Sequence, residues 1–151
     1  GLPLYLEAHP DDFVEDNHTA VNLVRSIGSP YVKYLYCAPH TFHLGDDMAE
    51  MIRHAAPVLA EVHVADVFDH KIGWRYVVNP PGATARGHQH LNIGDGEVDW
   101  DVFFQTLSEV GFDGIMTAQV FSYGADRAED CSRFMLERIH HYVSKHWPGG
   151  P

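Results

Sequence analysis

The feature that most constrains this chain is a rhythm repeated four times, a short β-rich apolar run followed by a stretch with helical periodicity. The runs are Leu4–Leu6, Tyr31–Tyr36, Glu61–Ala65 and Gly114–Phe121, each bounded by Gly, Pro, Asp or Asn. Asn17–Ile27, Asp46–Ala56, Trp100–Val110 and Arg127–Lys145 carry apolar residues near i, i+3, i+4 and i+7, which marks one face of a helix. Strands that alternate with helices pair in parallel through right-handed crossovers, because a hairpin cannot join them. The pattern therefore predicts an α/β fold of four parallel β/α units, residues 1–151 forming one unit of structure. A length of 151 residues, 45% of them apolar, is enough for a buried core but marginal for a complete eight-stranded α/β barrel. One segment, Asp69–Asp99, breaks the rhythm, and loops of that length are usually functional or mobile.

Charge narrows the partners. Ten Lys and Arg stand against 21 Asp and Glu, a net charge of −11 with no basic patch, which opposes phosphate backbones and anionic lipid surfaces. No apolar run approaches the roughly 20 residues of a bilayer span, so a soluble protein without nucleic-acid or membrane partners is expected. Cys37 and Cys131 lack any CxxC-like spacing, which suggests neither a disulfide framework nor a zinc ribbon and fits a cytoplasmic setting. A chain that opens on Gly1 and enters a strand almost at once reads as part of something longer.

In parallel α/β proteins the reactive side chains sit at the C-terminal ends of strands. The first strand here ends at Glu7, with His9 just beyond. The second ends in Cys37-Ala38-Pro39-His40, the third presents His63 and Asp66, and the fourth ends in Gln119. The long loop adds His88 and His90, which share a side in extended backbone. Taken singly, each has a structural explanation: a solvated carboxylate, a hydrogen-bonded core histidine, a small buried thiol. Their recurrence at four successive strand ends argues for one site.

These residues resemble the sugar phosphate isomerase/epimerase superfamily, whose xylose isomerase-like barrels include inositol-catabolism and ketose 3-epimerase enzymes. The resemblance runs over essentially the whole chain. Leu6-Glu7 with His9-Pro10 looks like the Glu of the fifth barrel strand, and Glu61-Val62-His63-Val64-Ala65-Asp66 is similar to the family's His-hydrophobic-x-Asp segment. His90-Leu91-Asn92-Ile93-Gly94-Asp95-Gly96 is similar to a His-x-x-x-Gly-x-Gly signature that apurinic endonucleases of this fold share. The resemblance implies that the chain is the C-terminal half of a (β/α)8 TIM barrel, strands five to eight, with the N-terminal half absent.

It also implies a divalent metal, Mn2+, Co2+, Mg2+ or Zn2+, held by Glu7, Cys37, His63 and Gln119. Cys37 stands where the family places an Asp, and Gln119 where it places a Glu. The remaining donors are richer in nitrogen and sulfur, a set that favours Zn2+. The implied chemistry is proton transfer through a metal-stabilised enediolate, with Glu7 and His40 as catalytic groups on a small ketose, polyol or inositol-derived sugar. His9, His40, Asp66, Arg86, His88 and His90 are the implied substrate contacts. Two alternatives stay open: a carbohydrate-binding barrel that has lost two metal ligands, and an inosose dehydratase of the same fold. A half-barrel exposes two sheet edges and must pair with its missing half or with itself.

Overall fold

The computed structural model describes residues 1–10, 12–68, 89–147 and 149. Its elements are β1 (Leu4–Glu7), α1 (Asn17–Ile27), β2 (Val32–Cys37), α2 (Ala38–Thr41), α3 (Met48–Ala55), β3 (Leu59–Val64), α4 (Trp100–Glu109), β4 (Ile115–Ala118) and α5 (Ala128–His146). Short 3-10 turns at Phe42–Leu44 and Ala125–Arg127 complete the set. All three strand pairs are parallel, in the order β1-β2-β3-β4. The predicted four-unit α/β layout is thus the observed one.

Helix starts follow a common device. Asp16, Asp47 and Asp99 each stand in extended backbone and accept a hydrogen bond from an N–H of the first turn, at Thr19, Glu50 and Val102. Gly28 ends α1 with φ of 63°, a conformation that side chains resist. The core lies between the sheet and its helices, where Tyr34, Val62, Val64, Phe103, Phe104 and Leu107 are fully buried. Val62 and Val64 alternate with Glu61 and His63 along β3, so the period of two sends the latter pair to the opposite face.

That opposite face is the inner wall of the half-barrel. Parallel register aligns Glu7, Leu35, Glu61 and Ile115 in one row and Cys37, His63 and Thr117 in the next. A register shift between Tyr34 and Leu35 leaves Ala60 as an extra residue of β3. The Ala60 carbonyl sits where a Cβ of residue 114 would be, which explains Gly114 at the entry to β4. β1 and β4 pair on one side only among the described residues, and Leu4 and Ile115 at these edges are exposed. No helix of the described residues is long and apolar enough to cross a membrane.

Candidate functional site

The C-terminal strand ends bring Glu7, Cys37, His40, His63, His90 and Gln119 into one cluster. Glu7 and Cys37 close β1 and β2, His63 is the penultimate residue of β3, and Gln119 lies one residue past β4. The short helix α2 turns back directly after Cys37 with Pro39 in its first turn, and this folds His40 under the end of β1. His40 Nδ1 lies 3.1 Å from the Ala8 carbonyl and 3.0 Å from Glu7 Oε1. Both neighbours are acceptors, so Nδ1 carries the proton and donates, which leaves Nε2 with a lone pair in the neutral ring.

Glu7 Oε1 is also 3.1 Å from His63 Nδ1. Burial alone would raise the Glu7 carboxyl, but the hydrogen bonds and charges of His40 and His63 outweigh it and hold the group well below the usual carboxylate range. On the other side of the His63 ring, Nε2 is 3.6 Å from Glu61 Oε1, and that oxygen accepts a 2.6 Å hydrogen bond from the Thr117 hydroxyl. Glu61 and Thr117 had no place among the sequence-derived candidates. Their signal was present, because residue 61 shares the face of residue 63 by the period of two. A carboxylate lying behind a histidine ring is an arrangement common at metal-ligating histidines, where it orients the ring once the near nitrogen carries the proton.

Cys37 forms the bridge to a second group of donors. Its Sγ is 3.6 Å from His90 Nε2 and 3.8 Å from Gln119 Oε1. Burial, reinforced by the Glu7 charge, pushes the thiol well up, so in the ion-free protein it is a neutral S–H that can donate to the Gln119 carbonyl oxygen. The His90 ring stacks on Phe121 with centroids 4.1 Å apart and meets His40 edge-on. Burial, then the neighbouring His40, brings the His90 pKa down to about 3.

The His90 shift has a measurable consequence for stability. The unfolded chain protonates this ring near 6.5, whereas the folded chain keeps it neutral down to about 3. Stability is therefore complete above that upper value and falls by up to about 1.4 kcal/mol per pH unit as the pH drops through the window. In the metal-free protein, the urea-derived stability should fall between about pH 7 and pH 5 by more in the wild type than in His90→Gln. Equal losses in the two proteins would contradict this origin.

Asp66 has a structural role in the fold. The sequence predicts it as a substrate contact, but the structure buries it completely and uses both of its oxygens within the protein. Oδ1 accepts from the Val67 and Val98 N–H groups at 2.9 and 3.1 Å, and Oδ2 from the Gly94 N–H and the Trp100 indole at 2.8 Å each. Its backbone pairs with Leu91 in an isolated antiparallel bridge. Asp66 thus anchors the glycine signature to the end of β3. Gly94 supplies a φ of 94°, and a Cβ on Gly96 would collide with Asp66 Oδ1 and the Val67 backbone. The signature's close backbone approach is to Asp66 rather than to the cluster itself.

His9 stands at the rim, its Nδ1 2.9 Å from the Pro10 carbonyl and 3.0 Å from Asp12, with its ring edge-on to His40 at 4.5 Å. Arg86 and His88 lie outside the described residues. Two donor sets in the cluster have the dimensions of an ion site: Glu7, Cys37 and His63, and Cys37, His40 and His90, with ligand atoms in each set within 4.8 Å of one another. The carboxylate, thiol and imidazole donors, together with Glu61 behind His63, fit a borderline-soft divalent ion better than a hard one such as Mg2+.

The family model of the xylose isomerase-like TIM barrel matches residues 1–138. The chain belongs to this family. No curated protein matches the sequence significantly. Among solved structures, an IOLI protein with a bound zinc atom is similar at 20% identity and a TM-score of 0.71, over 96% of this chain and 49% of that one. An L-ribulose 3-epimerase is similar at 15% identity and a TM-score of 0.68, over 97% of this chain and 48% of its own. The probable 3-DHS dehydratase AsbF of Bacillus anthracis, involved in petrobactin synthesis, is similar at 15% identity and a TM-score of 0.69, over 91% and 49%. This xylose isomerase-like chain therefore spans about half the length of the structures it matches, and its four-stranded sheet is half of a TIM barrel.

Proposed function

We propose that the strand-end cluster is the chemistry-bearing half of a metal-assisted isomerase or epimerase acting on a small ketose, polyol or inositol-derived sugar. The observation that carries this reading is the Glu7 carboxylate. Two imidazoles hold it ionised through one oxygen, and it stands among donors that can share an ion. Glu7, Cys37 and His63 would hold that ion, with Gln119 as a neutral fourth donor beside Cys37. When bound, a divalent cation supplies a Lewis acid for the carbonyl and neighbouring hydroxyl oxygens of the sugar. The zinc of the IOLI protein supports Zn2+ as one of the candidate ions, alongside Co2+ and Mn2+.

Proton movement falls to the chain's own residues. Glu7 takes the proton from the carbon next to the carbonyl, the C–H electron pair becomes the double bond of an enediolate, and the proton rests on the carboxyl. Its Oε2 is the oxygen that neither imidazole uses. Return of a proton to the neighbouring carbon, with the hydroxyl proton passing to the former carbonyl oxygen, completes an isomerisation, and return to the opposite face of the same carbon completes an epimerisation. Gln119 cannot deliver that proton, since an amide has no proton-accepting state near neutrality. His40, in contact with Glu7, is the group proposed to relay it.

His9, His90, Arg86 and His88 are proposed to contact the sugar. Four further strands, from the remainder of a longer protein or from a second copy, would close the sheet and supply the other sugar contacts. Free, buried Cys37 and Cys131 suit a cytoplasmic setting.

The supporting role of Glu61 can be tested without turnover. Glu61→Gln should lower Zn2+ affinity roughly 10- to 100-fold in equilibrium dialysis by loosening His63, whereas an unchanged affinity would remove Glu61 from the site. The activity itself is tested by loading the full-length protein with Mn2+, Co2+ or Zn2+ and following ketose and inosose interconversion. Metal-dependent interconversion supports the proposal. Sugar binding that survives chelation, with no turnover, would replace it with the carbohydrate-binding reading that Gln119 favours. Loss of water to an unsaturated product would replace it with a lyase, the class to which AsbF is assigned.

A further inference from the structure

We propose a second transition-metal site on the helical layer, formed by His18 of α1 with Glu50 and His54 of α3 and separate from the strand-end cluster. One ligand atom from each of the three side chains lies within 4.8 Å of the others. Glu50 and His54 are four residues apart on α3, which stacks them on one face, and α1 packs against α3 to bring in His18. His18 Nε2 already stands 3.6 Å from Glu50 Oε2. Two donors bound at about 2.1 Å to one tetrahedral ion are about 3.4 Å apart, so this pair needs little movement.

The third donor is the informative one. His54 Nε2 is buried without a hydrogen-bond partner among the described residues, an uncommon condition for a ring nitrogen. The His18 and His54 rings face one another at 4.6 Å between centroids. Desolvation, then the charge of Arg25, lowers the His54 pKa, a shift toward the neutral form that ligates. Neither nearby guanidinium fills the cluster, because Arg25 donates to the His54 carbonyl at 2.6 Å and Arg53 pairs with Glu109 at 3.0 Å. Two imidazoles and one carboxylate suit Zn2+, Co2+ or Ni2+ rather than Ca2+ or Mg2+ and leave a coordination position for water. The chain's net charge of −11 favours a cation, and occupancy would tie the first turn of α1 to α3.

The test uses Zn2+ alone with the full-length protein. Equilibrium dialysis should give one more bound Zn2+ in the wild type than in His18→Ala, a change at a half-exposed helix position that leaves the core intact. Glu50→Gln should weaken that extra site by about tenfold or more. Zn2+ should also protect His18 from carbethoxylation, read by peptide mass spectrometry, and should do so equally in Glu7→Gln. Equal stoichiometry in wild type and His18→Ala would overturn the proposal, as would His18 modification that is indifferent to Zn2+ or protection that disappears with Glu7→Gln.

Discussion

Asp66→Asn is expected to destabilise the folded chain by about 3–6 kcal/mol while barely changing the shape of the side chain. The carboxylate receives four donors, two on each oxygen. An amide keeps one acceptor oxygen and turns an NH2 toward the two remaining donors, so two buried N–H groups lose their partner and face a like group. Hydrogen bonds to an ionised acceptor are each worth about 1.5–3 kcal/mol, which sets the range. Urea denaturation followed by circular dichroism reads the loss directly, and a change under about 1 kcal/mol would show that the loop does not depend on this anchor. The effect belongs to folding. Its consequence for function runs through His90, whose N–H and ring lie immediately before the anchored turn.

Glu7→Gln is expected to do the opposite, leaving the fold in place and removing the chemistry. The side chain is a quarter exposed, and an amide oxygen can still accept from His40 and His63. It cannot take a proton at neutral pH, and loss of a positioned general base typically costs about 10²–10⁴ in rate. The full-length protein loaded with metal should therefore lose turnover by that factor with circular dichroism unchanged. A kcat within about threefold of wild type would remove Glu7 from the catalytic role. His40→Gln offers a graded comparison, because His40 holds Glu7 in position and is the proposed relay.

Much of this layout was legible in the chain itself. The helical period placed α1 at Asn17–Ile27, the bounds found in the structure. The strand-end rule singled out Glu7, Cys37 and His63, and parallel register brings their strand ends together. Other features escaped for definite reasons. The helix Ala38–Thr41 is too short to show periodicity, although Pro39 at its start was a usable signal. β4 stops at Ala118, short of the predicted end at Phe121, because Phe121 and Ser122 hydrogen-bond instead to the His90 carbonyl.

The loop-anchoring role of Asp66 is not legible in the sequence, because a strand-end carboxylate looks the same whether it faces a ligand or a loop. Its four donors come from residues 67 to 100, a convergence that only the fold creates. Glu61 was overlooked because it lies one layer below the strand ends, where attention to the mouth of the barrel does not reach. The glycine signature was visible as a motif, but that its backbone packs against Asp66 follows only from the fold.

Glu7 is proposed to move a carbon-bound proton of a sugar. Incubating the full-length, metal-loaded protein with a ketose in D2O and recording proton NMR tests it before any product needs to be identified. Deuterium should enter the sugar at the carbon next to the carbonyl in the wild type, with exchange slowed by about 10²–10⁴ in Glu7→Gln. No deuterium incorporation into any ketose or inosose, or equal incorporation in the two proteins, would contradict it.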